Sequence, residues 1–282
     1  MASQMEKALA FRRLHAPPGA FVIPNPWDAG TARLLEHLGF EALATTSAGV
    51  AFALGKPDGA GAVGRNEALA NAASIVAATD LPVSGDLENG YGDRPEDVAE
   101  TVRRAAAAGL VGCSIEDATG RADDPIYPFD LSVERIRAAV DAARALEFPF
   151  TLTARAEGFM HGRPDLGETV HRLQAFEAAG ADVLYAPGIT SRDQIRTLVA
   201  AVGRPVNVLA GIGGAGFTVA ELASLGVRRI SVGGALARAA FGAFLDAARE
   251  LHGAGTFGFA DTAVPFAVLD DIFAAQERAA KR

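Results

Sequence analysis

Acidic residues gather where two apolar runs end. The run LPVSG leads into Asp86, and SGDLENGYG places Glu88 two residues further on. A second run, VGCSI, ends in Glu116 and Asp117. Asp86 and Glu88 share a face if the strand extends that far, and Asn89, Gly90 and Gly92 then turn the chain. Carboxylates converging from neighbouring strands repel one another, and burying them unpaired is costly, so the cluster requires a cation. Oxygen donors suit a hard ion, Mg2+ first and Mn2+ as the alternative. The five histidines, His15, His37, His161, His171 and His252, are scattered and none falls at a predicted strand end, which argues against zinc.

Other residues at strand ends fit the same picture. Asp58 lies in LGKPDGAG after the second strand, although Pro-Asp-Gly is also an ordinary turn. Arg155, in TARAEGF, can clamp a substrate carboxylate in bidentate fashion or pair with the carboxylates just described. The small residues of TTSAG (45–49) let backbone N–H groups approach an anion. Asn207 ends a later apolar run as a neutral donor and acceptor. Cys113 reads as a small buried hydrophobe. Trp27 either covers the site or packs.

These residues need a scaffold that brings strand ends together. Short β-rich runs fall near 20–24, 41–45, 82–86, 111–115, 149–154, 182–186, 205–209 and 228–232. Between and after them, helical spacing marks 28–38, 66–79, 95–108, 130–146, 166–179, 191–201, 217–225 and 235–250. The strands are apolar on both faces, as in a parallel sheet covered by helices. The phrases AAGL, AAGAD and SLGV carry a Gly at the helix C-terminus, where it turns the chain into the next strand. Eight such units predict a (β/α)8 TIM barrel, with a doubly wound open sheet as the alternative. The barrel is expected over 1–255 as the catalytic domain, with a helical extension over 256–282. A helix at 262–280 has apolar positions that a closed barrel cannot absorb. It is expected to pack outside the barrel or on a neighbouring subunit, which favours a homodimer or homotetramer.

Composition narrows the function classes. Half of the 282 residues are hydrophobic and the net charge is −8, so nucleic acid is not an expected partner. One cysteine excludes an internal disulfide. The sequence shows no signal-peptide pattern and no membrane span, so the expected compartment is the cytoplasm. The glycine-rich turns AGIGGAGFT (210–218) and VGGALA (232–237) form a competing phosphate site, and the GxGxxG at 211–216 is a weak dinucleotide signal.

Taken together, TTSAGVAFALGKPDG, SGDLENGYGD, CSIED and TARAEGF, in this order, resemble the isocitrate lyase/phosphoenolpyruvate mutase superfamily over about residues 20–245. The resemblance implies that Asp58, Asp86, Glu88 and Glu116 hold Mg2+, partly through water. It implies that Thr46, Ser47, Ala48, Arg155 and Asn207 contact a 2-oxo acid. It also implies that a C-terminal helix is swapped between subunits. Two departures stand out. Where the lyases carry a Lys-Lys-Cys-Gly-His type loop, this chain reads ATGRADDPIYPFDLS (118–132), and where they carry a glutamate after the sixth strand it has Pro187. The gating-loop Asn and Lys of the phosphonate enzymes are also not evident.

What remains is the shared chemistry: a cation and a donor such as the backbone N–H near Ser47 stabilise an enolate while a bond to C3 breaks. Arg155, Glu116 and Ser47 are the residues expected to carry it. The expected activity is a Mg2+-dependent carbon–carbon lyase, of decarboxylase or retro-aldol type, on a 2-oxo or 2-hydroxy di- or tricarboxylate. A phosphoenolpyruvate or phosphonopyruvate C–P enzyme and a non-catalytic 2-oxo-acid binder are the alternatives. Loop 118–132 is expected to close over the substrate, and Tyr91, Tyr127 or water to replace the missing acid.

Overall fold

A computed structural model describes residues 2–59, 61–211 and 216–280. Eight parallel strands alternate with helices: β1 (Phe21–Ile23), β2 (Leu43–Ala44), β3 (Val83–Asp86), β4 (Gly112–Glu116), β5 (Thr151–Arg155), β6 (Val183–Tyr185), β7 (Val206–Leu209) and β8 (Arg229–Ser231). They form one sheet in the order β1-β8-β7-β6-β5-β4-β3-β2. The remaining seam, between β1 and β2, is bridged at its upper end. There the Ala44 N–H donates to Pro24 O (3.0 Å) and Asn25 Nδ2 donates to Thr45 O (3.0 Å). The sheet is thus a nearly closed (β/α)8 barrel, as the alternation predicts.

The surrounding helices include α2 (Ala29–His37), α4 (Arg65–Ala78), α5 (Pro95–Ala107), α6 (Phe129–Arg144), α7 (Leu166–Ala178), α8 (Arg192–Ala201), α9 (Val219–Ser224) and α10 (Ala235–Gly253). The predicted cap glycines hold. Gly109 and Gly180 have φ of 92° and 104°, and a Cβ at either would meet a valine methyl within 3 Å. Both the turn and the close helix packing therefore need glycine.

Two helices escape the sequence reading. Helix α3 (Ser47–Ala53) starts shortly after β2, so Ser47, Ala48 and Gly49, read from sequence as part of a strand end, are its first turn. Helix α1 (Gln4–Leu14) covers the lower mouth of the barrel. Its Ala8 and Phe11 are fully buried with Phe21, Ala42 and Val111, and Gln4 Nε2 donates to the carbonyls of Ala106 (2.8 Å) and Leu110 (2.9 Å). Catalytic barrels keep chemistry at the opposite mouth, so this end is free to be filled for stability.

At the C-terminus, α11 (Phe266–Ala280) runs beside α2. Phe266 is 82% exposed and Val264 58%. Among the described residues no helix is long and apolar enough to cross a membrane. Replacing Phe11 by Ala leaves a cavity under the barrel and should cost about 3–5 kcal/mol of stability. Urea unfolding of the two proteins measures this; a change under 1 kcal/mol would show that α1 is dispensable as a plug.

Candidate active site

The upper mouth opens into a cavity of about 1420 Å³. Ser47, Asp58, Glu88, Tyr91, Glu116, Arg155, Glu157 and His161 are among the residues that line it. Strands β3, β4 and β5 deliver the centre of the site. Arg155 Nη1 lies 3.3 Å from Asp86 Oδ1 and 3.1 Å from Glu116 Oε2, and its Nε donates to Glu157 Oε1. Its guanidinium also stands over the Tyr185 ring, 5.2 Å from the centroid.

Asp86 is fixed from three sides. Its Oδ2 accepts from the Ser47 N–H (3.0 Å), its Oδ1 accepts from Ser114 Oγ (3.3 Å), and its own N–H donates to Thr45 Oγ1 (2.8 Å). The Ser47 N–H is therefore engaged with a carboxylate. Thr46 caps α3, its Oγ1 accepting from the Gly49 N–H (3.3 Å). Ala48 lies against Gly234, where a Cβ would come within 3.1 Å of the Ala48 methyl. Trp27 packs on Gly49 of the same helix.

Strand β3 stops at Asp86, so Glu88 does not continue its face. Glu88 instead takes a left-handed φ of 47°, followed by Tyr91 at 60°, and its carbonyl accepts from the Glu116 N–H (3.0 Å). Such conformations are costly for residues with a Cβ and persist where the surroundings impose them. Arg135 imposes this one. It is buried in α6, and its guanidinium donates to the carbonyls of Gly92 (2.6 Å), Asp93 (2.5 Å) and Asn89. The same guanidinium lies 4.1 Å from the centre of the Tyr127 ring. The Tyr127 hydroxyl donates to Asp93 Oδ1 (2.5 Å) and accepts from Asn89 Nδ2 (3.1 Å). Tyr127 thus ties the β3 and β4 loops together and does not line the cavity, whereas Tyr91 does.

Asp117 turns away from Glu116. It is buried, accepts from the Glu157 N–H (2.7 Å), and pairs with Arg172 of α7 (3.2 Å). Burial pushes its carboxyl up to about 6. Loop 118–132 starts as a short hairpin, with Ala118 bridged to Ile126, and its Thr119, Gly120, Arg121 and Pro125 form one cavity wall.

Electrostatically the mouth is over-supplied with negative charge. Partial desolvation at the rim raises the Asp58 carboxyl, although the residue is exposed, and Asp86 adds to this. Burial, then Asp86 and Asp58, push Glu88 up to about 7. Burial also holds Glu116 well above the usual carboxylate range; Arg155 opposes the shift, and Glu157, Asp86 and Glu88 reinforce it. Burial works against the Arg155 charge, but Glu116, Glu157 and Asp86 outweigh it and hold the guanidinium protonated. Among the described residues no three carboxylate, histidine or cysteine side chains already form a set that could hold a metal ion.

Asn207 lies below the mouth. It is buried, accepts from Arg229 Nε (3.0 Å), and donates to Ser231 Oγ (3.0 Å). Cys113 is fully buried within β4. Of the glycine-rich turns, residues 212–215 lie outside the described residues, which removes the GxGxxG at 211–216 from view. In the other turn the N–H groups of Val232 and Gly233 both donate to Asn25 Oδ1 (3.0 and 2.8 Å), so that nest is filled by the protein itself.

A model of the phosphoenolpyruvate phosphomutase family matches residues 11–252. The chain belongs to this family. It is an enzyme of the wider isocitrate lyase/phosphoenolpyruvate mutase superfamily of lyases and mutases. It is 63% identical to a Burkholderia cenocepacia protein whose structure is described as that of a lyase or mutase, with a TM-score of 0.93 over 96% of each chain. An oxaloacetate acetylhydrolase structure with the product oxalate is 29% identical, with a TM-score of 0.87, over 99% of this chain and 97% of that one. Among curated relatives, an oxaloacetate decarboxylase of Chromohalobacter salexigens is 30% identical over 88% of this chain and 86% of its own. A 2-methylisocitrate lyase of Shewanella oneidensis is 32% identical over 70% of this chain and 68% of its own.

Sequence reasoning missed Glu157, Arg135, Arg172, Asn25 and His161. Arg135 alone left a clear mark, as a charged residue on the buried stripe Ser132, Ile136, Ala139, Val140 and Ala143 of α6. Arg135→Leu strands three carbonyls and should cost on the order of 3 kcal/mol. Thermal and denaturant unfolding check this; unchanged stability would mean the turn after Glu88 holds itself.

Proposed function

We propose that this enzyme is a divalent-cation-dependent carbon–carbon lyase acting on a 2-oxo or 2-hydroxy di- or tricarboxylate, with decarboxylation of an oxaloacetate-like 2-oxo diacid as its best-fitting reaction. The observation that carries this reading is the partly buried Arg155 pairing with Asp86 and Glu116 in a mouth crowded with further carboxylates. The donor set fits a hard cation such as Mg2+ or Mn2+. It is all oxygen, it is over-charged, and raised carboxyls such as that of Glu88 mark negative charge still lacking compensation. Among the described residues no three of these side chains form a ready ligand set, which suits a hydrated ion held partly through water.

Asp86, with Asp58, Glu88 and Glu116, would hold the cation. Bound there, it would supply a Lewis acid for the 2-oxo and adjacent carboxylate oxygens of the substrate. Arg155 would exchange a protein carboxylate for the substrate's, keeping a charge-assisted pair throughout. At the same edge the Ser47 N–H is taken by Asp86 and Thr46 caps α3, so Thr46, Ser47 and Ala48 would act by fixing Asp86 and the first turn of α3 beside the substrate. Asn207 would act from below by fixing the buried polar layer. In decarboxylation the bond from C3 to the carboxylate breaks, its electron pair enters the C2–C3 bond, and carbon dioxide leaves. The hairpin wall at 118–126 and Tyr91 would limit water around that carbon. This chemistry needs no cysteine, in keeping with the altered loop. A second reading, C–P bond chemistry on phosphonopyruvate, draws on the family's own description. 31P NMR of that compound with the enzyme separates the two.

Calorimetry with Mg2+ and oxalate, together with assays on a panel of 2-oxo acids, tests the first reading. Asp86→Ala should abolish both ion binding and turnover, and full turnover in that variant refutes the assignment. Glu88 should add a pH dependence. Its carboxyl is protonated below about 7, and an ion competes with that proton. Ion affinity should therefore fall as pH drops from 8 to 6; a flat profile would exclude Glu88 as a ligand.

The cytoplasm remains the proposed compartment. The apolar residues that α10 and the C-terminal segment leave exposed, among them Phe244 and Phe266, support assembly with further copies. Sedimentation should give the mass of a dimer or tetramer, and Phe244→Asp with Phe266→Asp should reduce it to a monomer. A monomeric wild type overturns this assembly.

A further inference from the structure

Cleavage at C3 leaves an enolate that must gain a proton before the product departs. The lyase loop that would carry a cysteine has no acid of that kind here, since 118–132 holds no Cys, Lys or His. The carboxylates nearest the centre are committed to Arg155 or to the proposed cation. Tyr127 is locked to Asp93 and Asn89, away from the cavity. Tyr91 lines the cavity, but burial and then Glu88, Asp86 and Glu116 push its phenol far up, so it releases a proton reluctantly.

On the β5 side the wall is built differently. After Arg155 the chain makes a compact turn, in which the His161 N–H donates to Glu157 O (3.2 Å) and the Arg163 N–H to Gly158 O (2.8 Å). The turn is seated on Gly188, where a Cβ would come within 3.0 Å of Phe159 Cβ and 3.2 Å of Met160 Sδ. Gly188 has φ of 85° and follows Pro187, the position where the lyases carry glutamate. The glycine at 188, with no side chain, leaves room for the turn. The turn carries His161 to the cavity, where it is the histidine among the described lining residues. Its side chain is exposed at the lip, on the same wall as Arg155 and Glu157.

We propose that His161 is the proton donor to C3, standing in for the cysteine that the β4 loop lacks. The assignment rests on the enolate reading above. In the step, the imidazolium N–H bond breaks and its proton joins C3. The C2–C3 π pair forms the new C–H bond, the C2 oxygen returns to a ketone, and the neutral imidazole regains a proton from water. Histidine is suited to this because it exchanges protons near neutral pH.

The test uses the full-length protein with Mg2+ and follows hydrogen–deuterium exchange at C3 of pyruvate and 2-oxobutyrate in D2O by proton NMR, with oxalate affinity measured alongside. His161→Ala should slow exchange by about 100-fold or more, leave oxalate affinity unchanged, and recover exchange when free imidazole is added. His161→Gln should be equally slow, and imidazole should not restore it to the same extent, because the side chain fills the vacated space. Wild-type rates in both variants would overturn the assignment while leaving the enolate reading intact. Exchange absent from wild type, with oxalate still bound, would sink the enolate reading and the His161 role with it. Slow exchange that imidazole cannot restore in His161→Ala would assign the loss to structure and reject His161 as donor.

Discussion

Everything at the upper mouth answers to one electrostatic constraint: more carboxylates than guanidinium groups share a poorly solvated space. Asp86, Glu116 and Glu157 all lean on Arg155. A single guanidinium cannot neutralise three carboxylates, and Asp58 and Glu88 add to the excess. Left alone, this cluster would drive its members apart or take up protons. The fold prevents the first by anchoring each member through backbone. Ser47 and Thr45 hold Asp86, Glu88 O holds the Glu116 N–H, and Asp117 holds the Glu157 N–H. The excess is then available to a cationic or proton-bearing ligand.

That anchoring has its own supports one layer further out. Arg135 and Arg172 each reach from a helix into the strand-end loops, one gathering carbonyls after β3 and the other pairing with Asp117 after β4. Beneath the mouth the interior stays polar. Arg155 lies on Tyr185, and Ser231, Asn207 and Arg229 follow in a hydrogen-bonded row. A barrel core is usually filled by branched apolar residues. Here polar contacts of fixed direction set the depth and angle of Arg155, which apolar packing alone would leave looser.

The parts of this arrangement that sequence reveals are those encoded by period and by position at a strand end. Alternating apolar runs and helical stripes gave the eight units, and Asp86, Glu116 and Arg155 follow from where those runs stop. Asn207 shows the limit. Its strand was placed correctly, but how far along the barrel axis a strand residue sits depends on register with its neighbours, and Asn207 pairs with Tyr185 and Arg229 below the mouth. Glu88 shows another limit, because a left-handed residue leaves no periodic trace. Helix α1 was invisible for a third reason: its two buried residues, Ala8 and Phe11, are too few to stand out as a stripe.

Two loops at the mouth meet in space although they lie apart in sequence. Pro187 and Gly188 follow β6, and the turn around His161 follows β5, yet Gly188 is the surface on which Phe159 and Met160 rest. Adjacent βα loops of a barrel form one continuous wall, so removing a side chain from one loop changes which backbone the next can adopt. Pro187-Gly188 and the turn after β5 are for that reason one packing unit. The loop after β4 adjoins this wall on its other side and is braced by Tyr127 and Arg135. The carboxylate centre is held by other contacts, Asp86 by Ser47 and Thr45 and the Glu116 N–H by the Glu88 carbonyl, so its position does not depend on the Gly188 contact.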